Sequence, residues 1–220
     1  MYTELINHLP TIEVVCDSAL DNQKQGRPFL ILYNSELEKL RAEKLYDSLA
    51  QKTRTVLIRL SEITENNWQD LTGQLLATYS SLGLKQASLV SFGAVGAIVQ
   101  NLALVSPKSV RAMVLVDAAT RPNPSAFQRI IDTVEQWLPM GLPFRSDVSG
   151  FDSRPFAQRL RAPVLVISTE RSTPYLRAQA SLLTQRLPTS WFFELSGDNA
   201  QDKLCELVLQ FEEVPAKCPQ

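Results

Sequence analysis

The stretch that most limits what this chain can fold into runs from Ala87 to Ala119, ASLVSFGAVGAIVQNLALVSPKSVRAMVLVDAA. Leu89-Val90-Ser91-Phe92 reads as a strand buried on both faces, Gly93-Ala94-Val95-Gly96 as a sharp turn, the residues up to Val105 as an apolar helix, and Arg111 to Asp117 as a second apolar strand. A strand that turns straight into a helix and returns to another buried strand belongs to a sheet covered on both sides.

The flanking segments keep the same rhythm. Ile12 to Cys16 is a short strand, and Pro28 to Tyr33 (PFLILY) is a continuous apolar run of the fully buried kind. Asn34-Ser35 offers a helix cap, with Glu38 three after Ser35 as in a capping box. Ala42, Leu45, Tyr46 and Leu49 then share one helix face, and Thr55 to Leu60 alternates as a strand. Asn67 caps a helix whose stripe, Trp68, Leu71, Leu75, Tyr79 and Leu82, ends at Gly83. After Arg121 the alternation breaks, with prolines at 122, 124, 139, 143 and 155 around one amphipathic helix. It resumes with a strand over Pro163 to Ser168, a helix over Leu176 to Leu187, a strand over Trp191 to Leu195, and a last helix carrying Leu204, Leu207, Val208 and Phe211. The tail from Val214 is expected to be loose. The pattern predicts one α/β domain over residues 1–220, a mostly parallel central sheet with helices on both faces and a short cap insertion at about 121–161.

Composition narrows the function classes. At 220 residues the chain suffices for one such domain, and its net charge of −1 gives no electrostatic footprint for nucleic acid or an anionic membrane. The opening MYTELINHLPTIEVVCDSAL has no basic segment followed by an apolar run, so no signal peptide is expected, and no apolar run is long enough to span a bilayer. Cys16, Cys205 and Cys218 are too few for a disulfide framework, match no zinc spacing and suit a reducing, cytoplasmic setting. Cys16 and Cys205 read as packing residues. No cofactor and no metal is expected.

On the motifs Leu82-Gly83, Leu89-Val90, the turn, Pro107, Val110 and Leu115-Val116-Asp117, the chain resembles the α/β-hydrolase fold superfamily of the small, cap-bearing kind, from Ile12 to Phe211. In that superfamily the first turn is the nucleophile elbow, and its proline follows the nucleophile by about fourteen residues, which places the nucleophile position on Gly93. Gly96 keeps the glycine three residues on, while Val95 replaces a small residue and should crowd the turn. A glycine relieves the roughly 1–3 kcal/mol of backbone strain that an elbow residue with a Cβ bears, and it cannot attack a carbonyl. Ser91 lies within the strand and reads as a small packing residue.

The resemblance implies a triad acid after the strand ending at Ser168 and a histidine after the strand ending at Leu195. Those positions fall on Ser172 and Asp198, with Glu170 two residues before the first and expected to be solvated. The one histidine, His8, precedes the first strand and reads as a surface residue. Asn34-Ser35-Glu36 stands where an oxyanion-hole motif would be, and Asp117 reads as structural. Gly93, Ser172 and Asp198 are therefore taken as a degenerate triad, in the manner of a pseudo-hydrolase.

In the cap, Phe127, Ile130, Ile131, Val134, Trp137 and Leu138 recur at helical spacing, either as a lid over the old mouth or as an apolar docking patch. Three readings stay open. The first is a non-catalytic protein that binds or scaffolds another protein. The second is a receptor or carrier for an apolar small molecule in a pocket near Asn34, Ser35, Phe92, Ala94 and Trp137. The third is a hydrolase with a non-standard active site.

Overall fold

In a computed structural model the described residues are 12–18, 27–61, 63, 67–118, 153, 155–197 and 199–217. In chain order they form β1 (Ile12–Asp17), β2 (Phe29–Tyr33), α1 (Glu36–Ala50), β3 (Thr55–Leu60), α2 (Trp68–Ser81), β4 (Ala87–Phe92), α3 (Val95–Val105), β5 (Val110–Val116), β6 (Val164–Thr169), α4 (Pro174–Arg186), β7 (Ser190–Leu195) and α5 (Ala200–Lys217). The strands make a 7-stranded sheet in the order β1-β3-β2-β4-β5-β6-β7. Every neighbouring pair is parallel except β1 with β3. This is the mostly parallel, two-sided sheet that the sequence predicts.

The pleat of β2 shows how both faces are filled. Leu30 and Leu32 enter one apolar cluster with Leu71 and Leu75 of α2, Ile98 of α3 and Leu183 of α4. Phe29, Ile31 and Tyr33 enter the other, with Leu45 and Leu49 of α1 and Leu204, Val208 and Phe211 of α5. Successive side chains of a strand point to opposite faces, so a run apolar at every position is what a doubly covered strand needs. β3 departs from the predicted alternation for the same reason. All its residues but Arg59 are buried, with Val56 and Ile58 on one face and Leu57 on the other.

The edges differ more. The four central residues of β1 are exposed, and Cys16 is among them rather than packed, because β1 closes the sheet as its outermost strand. Cys205 is partly buried against the α1 and α5 cluster. The helix expected to fray from Val214 runs on to Lys217, led there by the stripe Leu204, Val208 and Phe211 packing on the sheet. The predicted cap helix, with Trp137, lies outside the described residues, which next include a short 3-10 turn at Ala157–Arg159. Among the described residues no helix is long and apolar enough to cross a membrane.

Candidate functional site

The C-terminal ends of the parallel strands converge on the β4–α3 turn. Gly93 stands at its apex with φ +56°, and its N–H donates to the Val116 carbonyl at 2.9 Å, pinning the turn against the end of β5. This left-handed conformation is strained for a residue with a Cβ. A side chain would also displace a neighbour: a Cβ at Gly93 would run into Oε1 of Glu38, the flexible end of that side chain, and lie 3.2 Å from its Cδ. Gly96 admits the close approach of α3 to the end of β5, since a Cβ there would sit 2.6 Å from that of Ala118. Val95, expected to crowd the turn, is fully buried in the cluster shared with α2 and α4. Ser91 is buried within β4, its hydroxyl 3.5 Å from the Val114 carbonyl that accepts it.

Glu38 reaches the apex from the first turn of α1. Ser35 is the N-cap in extended conformation, yet its side chain accepts no capping hydrogen bond. The other half of the predicted capping box is present, shifted by one residue: Oε2 of Glu38 accepts the Asn34 N–H at 3.5 Å. Burial raises the Glu38 pKa, against the opposing pull of hydrogen bonds from Asn34 and Ser35 and of the Arg41 guanidinium. Sequence reasoning found Glu38 as a cap and missed its contact with the apex.

One strand further along, Asp117 also has left-handed backbone, φ 53°, directly after β5. Its Oδ1 accepts the Thr169 N–H at 2.7 Å and the Ser172 hydroxyl. Its Oδ2 accepts the Thr169 hydroxyl at 2.7 Å and pairs with Nη1 of Arg41 at 3.0 Å. The Arg41 guanidinium in turn lies over the Phe92 ring, 5.4 Å from its centroid. Ser172, the position read as the acid, is thus a donor to a carboxylate that closes β5 onto β6. Arg41 and Thr169 went unnoticed in the sequence, where no motif marks them.

Glu170 is exposed as expected but engaged: its carboxylate accepts the Gly197 N–H, joining the β6 and β7 ends. Asp198 and His8 lie outside the described residues. Of the predicted pocket residues, Asn34 and Ser35 adjoin Glu38, while Phe92 and Ala94 pack on opposite faces of the sheet. An open cavity of about 240 Å³ lies to one side of them, between α1, the β6 end and the start of α5, lined by Leu40, Arg41, Lys44, Thr169, Arg171 and Gln201 among others.

No family model and no curated protein sequence matches the chain. Solved structures do. An esterase from Thermogutta terrifontis superposes with a TM-score of 0.68 at 13% identity, over 94% of this chain and 93% of that one. An enol-lactonase from Burkholderia xenovorans gives 0.61 at 18% identity, over 92% and 95%. A meta-cleavage product hydrolase from Pseudomonas fluorescens gives 0.63 at 14%, over 92% and 93%. The strand order, the turn after β4 and these superpositions together define the class: the chain has the α/β-hydrolase fold.

Proposed function

We propose that this is a non-catalytic, cytoplasmic α/β-hydrolase-fold protein that acts by binding another protein. The observation that carries the reading is the apex itself: Gly93, read as the nucleophile position, has left-handed backbone and a glutamate carboxyl against it in place of a side chain of its own. Ser91 is buried in β4 with a backbone carbonyl as its acceptor, and Ser172 is buried against an Asp117 carboxylate that Thr169 and Arg41 already engage, so neither is an exposed hydroxyl open to a substrate. Binding of a protein is supported by Leu37 and Leu40, which flank Glu38 on α1 and are 81% and 61% exposed. The alternative of a small-molecule receptor is favoured by the open cavity beside them, whose lining mixes Lys44 and Arg171 with the Glu170 carboxylate and so suits a polar ligand rather than the apolar one expected.

The expected outcome is no labelling by a fluorophosphonate probe and no turnover of a panel of activated esters above the spontaneous rate. Turnover that disappears in Ser91→Ala overturns the reading. Rebuilding a triad by Gly93→Ser, Ser172→Asp and Asp198→His is made both with and without Glu38→Ala, because the new serine Cβ displaces the flexible end of Glu38. Affinity capture from the native cell should retain a stoichiometric protein that Leu37→Asp with Leu40→Asp releases.

A further inference from the structure

We propose that Glu38 is an internal ligand of the vacated site: its carboxyl fills the seat above the elbow apex and keeps closed a pocket that, once emptied, takes a small free carboxylate. The inference rests on the reading of Gly93 as the nucleophile position. Three glycines among the described residues have positive φ, and nothing lies within 4 Å of a Cβ built at Gly83 or Gly197. Of the three, only Gly93 has another side chain in the place of the missing one. The occupant meets the Asn34 N–H at 3.5 Å, Ser35 and the field of Arg41, while burial, the largest influence on it, raises its pKa. It comes from within the chain, four residues past Asn34, so its effective concentration exceeds that of any free anion. Removing the side chain beyond Cβ takes away a group the size of a short carboxylic acid and frees the Asn34 N–H that it accepts.

The test compares wild type, Glu38→Ala, Glu38→Gln, Gly93→Ala and the double variant Glu38→Ala/Gly93→Ala by thermal unfolding. Saturating sodium acetate, read against sodium chloride at equal ionic strength, should raise the Tm of Glu38→Ala by about 2–4 °C and leave wild type and Glu38→Gln unmoved. Gly93→Ala should lower the Tm by about 2–4 °C more in the wild-type background than in Glu38→Ala, because only there does the new Cβ evict a bound side chain. Acetate decides the matter. No rise in Glu38→Ala, or an equal rise in wild type, overturns the proposal whether or not the two substitutions couple. Ester turnover by wild type would instead sink the non-catalytic reading and leave the acetate result as it is.

Discussion

The two ends of β5 carry the same kind of ion pair in opposite states of completion. Where the strand begins, Arg111 ties the sheet to α5: Nη2 donates to the Glu212 carbonyl at 3.0 Å, and Nη1 lies 3.3 Å from Oε1 of the same residue. That pair is buried, yet Nε and Nη1 of Arg111 and Oε2 of Glu212 lack a hydrogen-bond partner. Where the strand ends, Asp117 receives donors from Thr169, Ser172 and Arg41 on both oxygens. In an enzyme of this fold the C-terminal end is where polar groups keep unused bonding capacity for a substrate. Here the carboxylate at that end is saturated, and the spare capacity is at the other end, in a purely structural joint.

The largest expected effect tests the saturated end. Asp117→Ala leaves Arg41 without its anion, the Thr169 N–H and two hydroxyls without their acceptor, and an alanine at φ 53°. Loss of one partner from a buried, hydrogen-bonded pair costs about 3–5 kcal/mol, and urea unfolding should show a loss in that range. Asp117→Asn keeps the shape, one acceptor and a residue tolerant of left-handed backbone, so it should lose about half as much. A loss under about 1 kcal/mol for alanine would mean that water already shares these bonds.

The contrast also marks what one sequence can reveal. Sheet and helices were legible because burial on both faces writes itself locally, as in PFLILY or the stripe Leu71, Leu75, Tyr79. β3 misled because the one charged residue in it, Arg59, imitates alternation while its neighbours fill both clusters. Counting from Pro107 and from the strand predicted over Pro163 to Ser168 leads to Gly93 and Ser172, which the structure places at the apex of the β4–α3 turn and beside Asp117. No such count leads to their partners. Arg41 meets Asp117 across 76 positions, and Thr169 and Ser172 meet it across 52 and 55, with no spacing rule to join them. Glu38 has a local explanation as a helix cap, and that explanation hides its second contact.

A paired replacement breaks or sharpens the comparison more finely. Arg111→Met with Glu212→Leu exchanges a half-satisfied ion pair for apolar volume, and stability should stay within about 1 kcal/mol of wild type or rise. The corresponding exchange at the other end, Arg41→Met with Asp117→Leu, should still cost about 2–3 kcal/mol, because Thr169 and Ser172 remain as unpaired buried donors. Equal costs for the two double variants, measured by denaturant midpoints at constant m-value, would erase the distinction between the ends.

The smallest effect is read from pH. Glu38 shares the open end with Asp117 but has fewer donors, and burial raises its pKa above the ordinary glutamate value of 4.5. The sign follows from proton linkage: between the unfolded and the raised folded pKa the native state binds more protons than the unfolded one, so stability falls as pH rises. Below the unfolded pKa both states are protonated and the residue is neutral to stability; above the folded pKa the cost of holding a buried charge is complete and constant. Glu38→Gln removes the titration. The stability of wild type minus that of Glu38→Gln should therefore decline as pH rises from about 4.5 through the folded pKa, with a slope of at most about 1.4 kcal/mol per pH unit, and level off beyond it. A difference that stays flat would place Glu38 in water, and one that grows with pH would make its donors outweigh its burial.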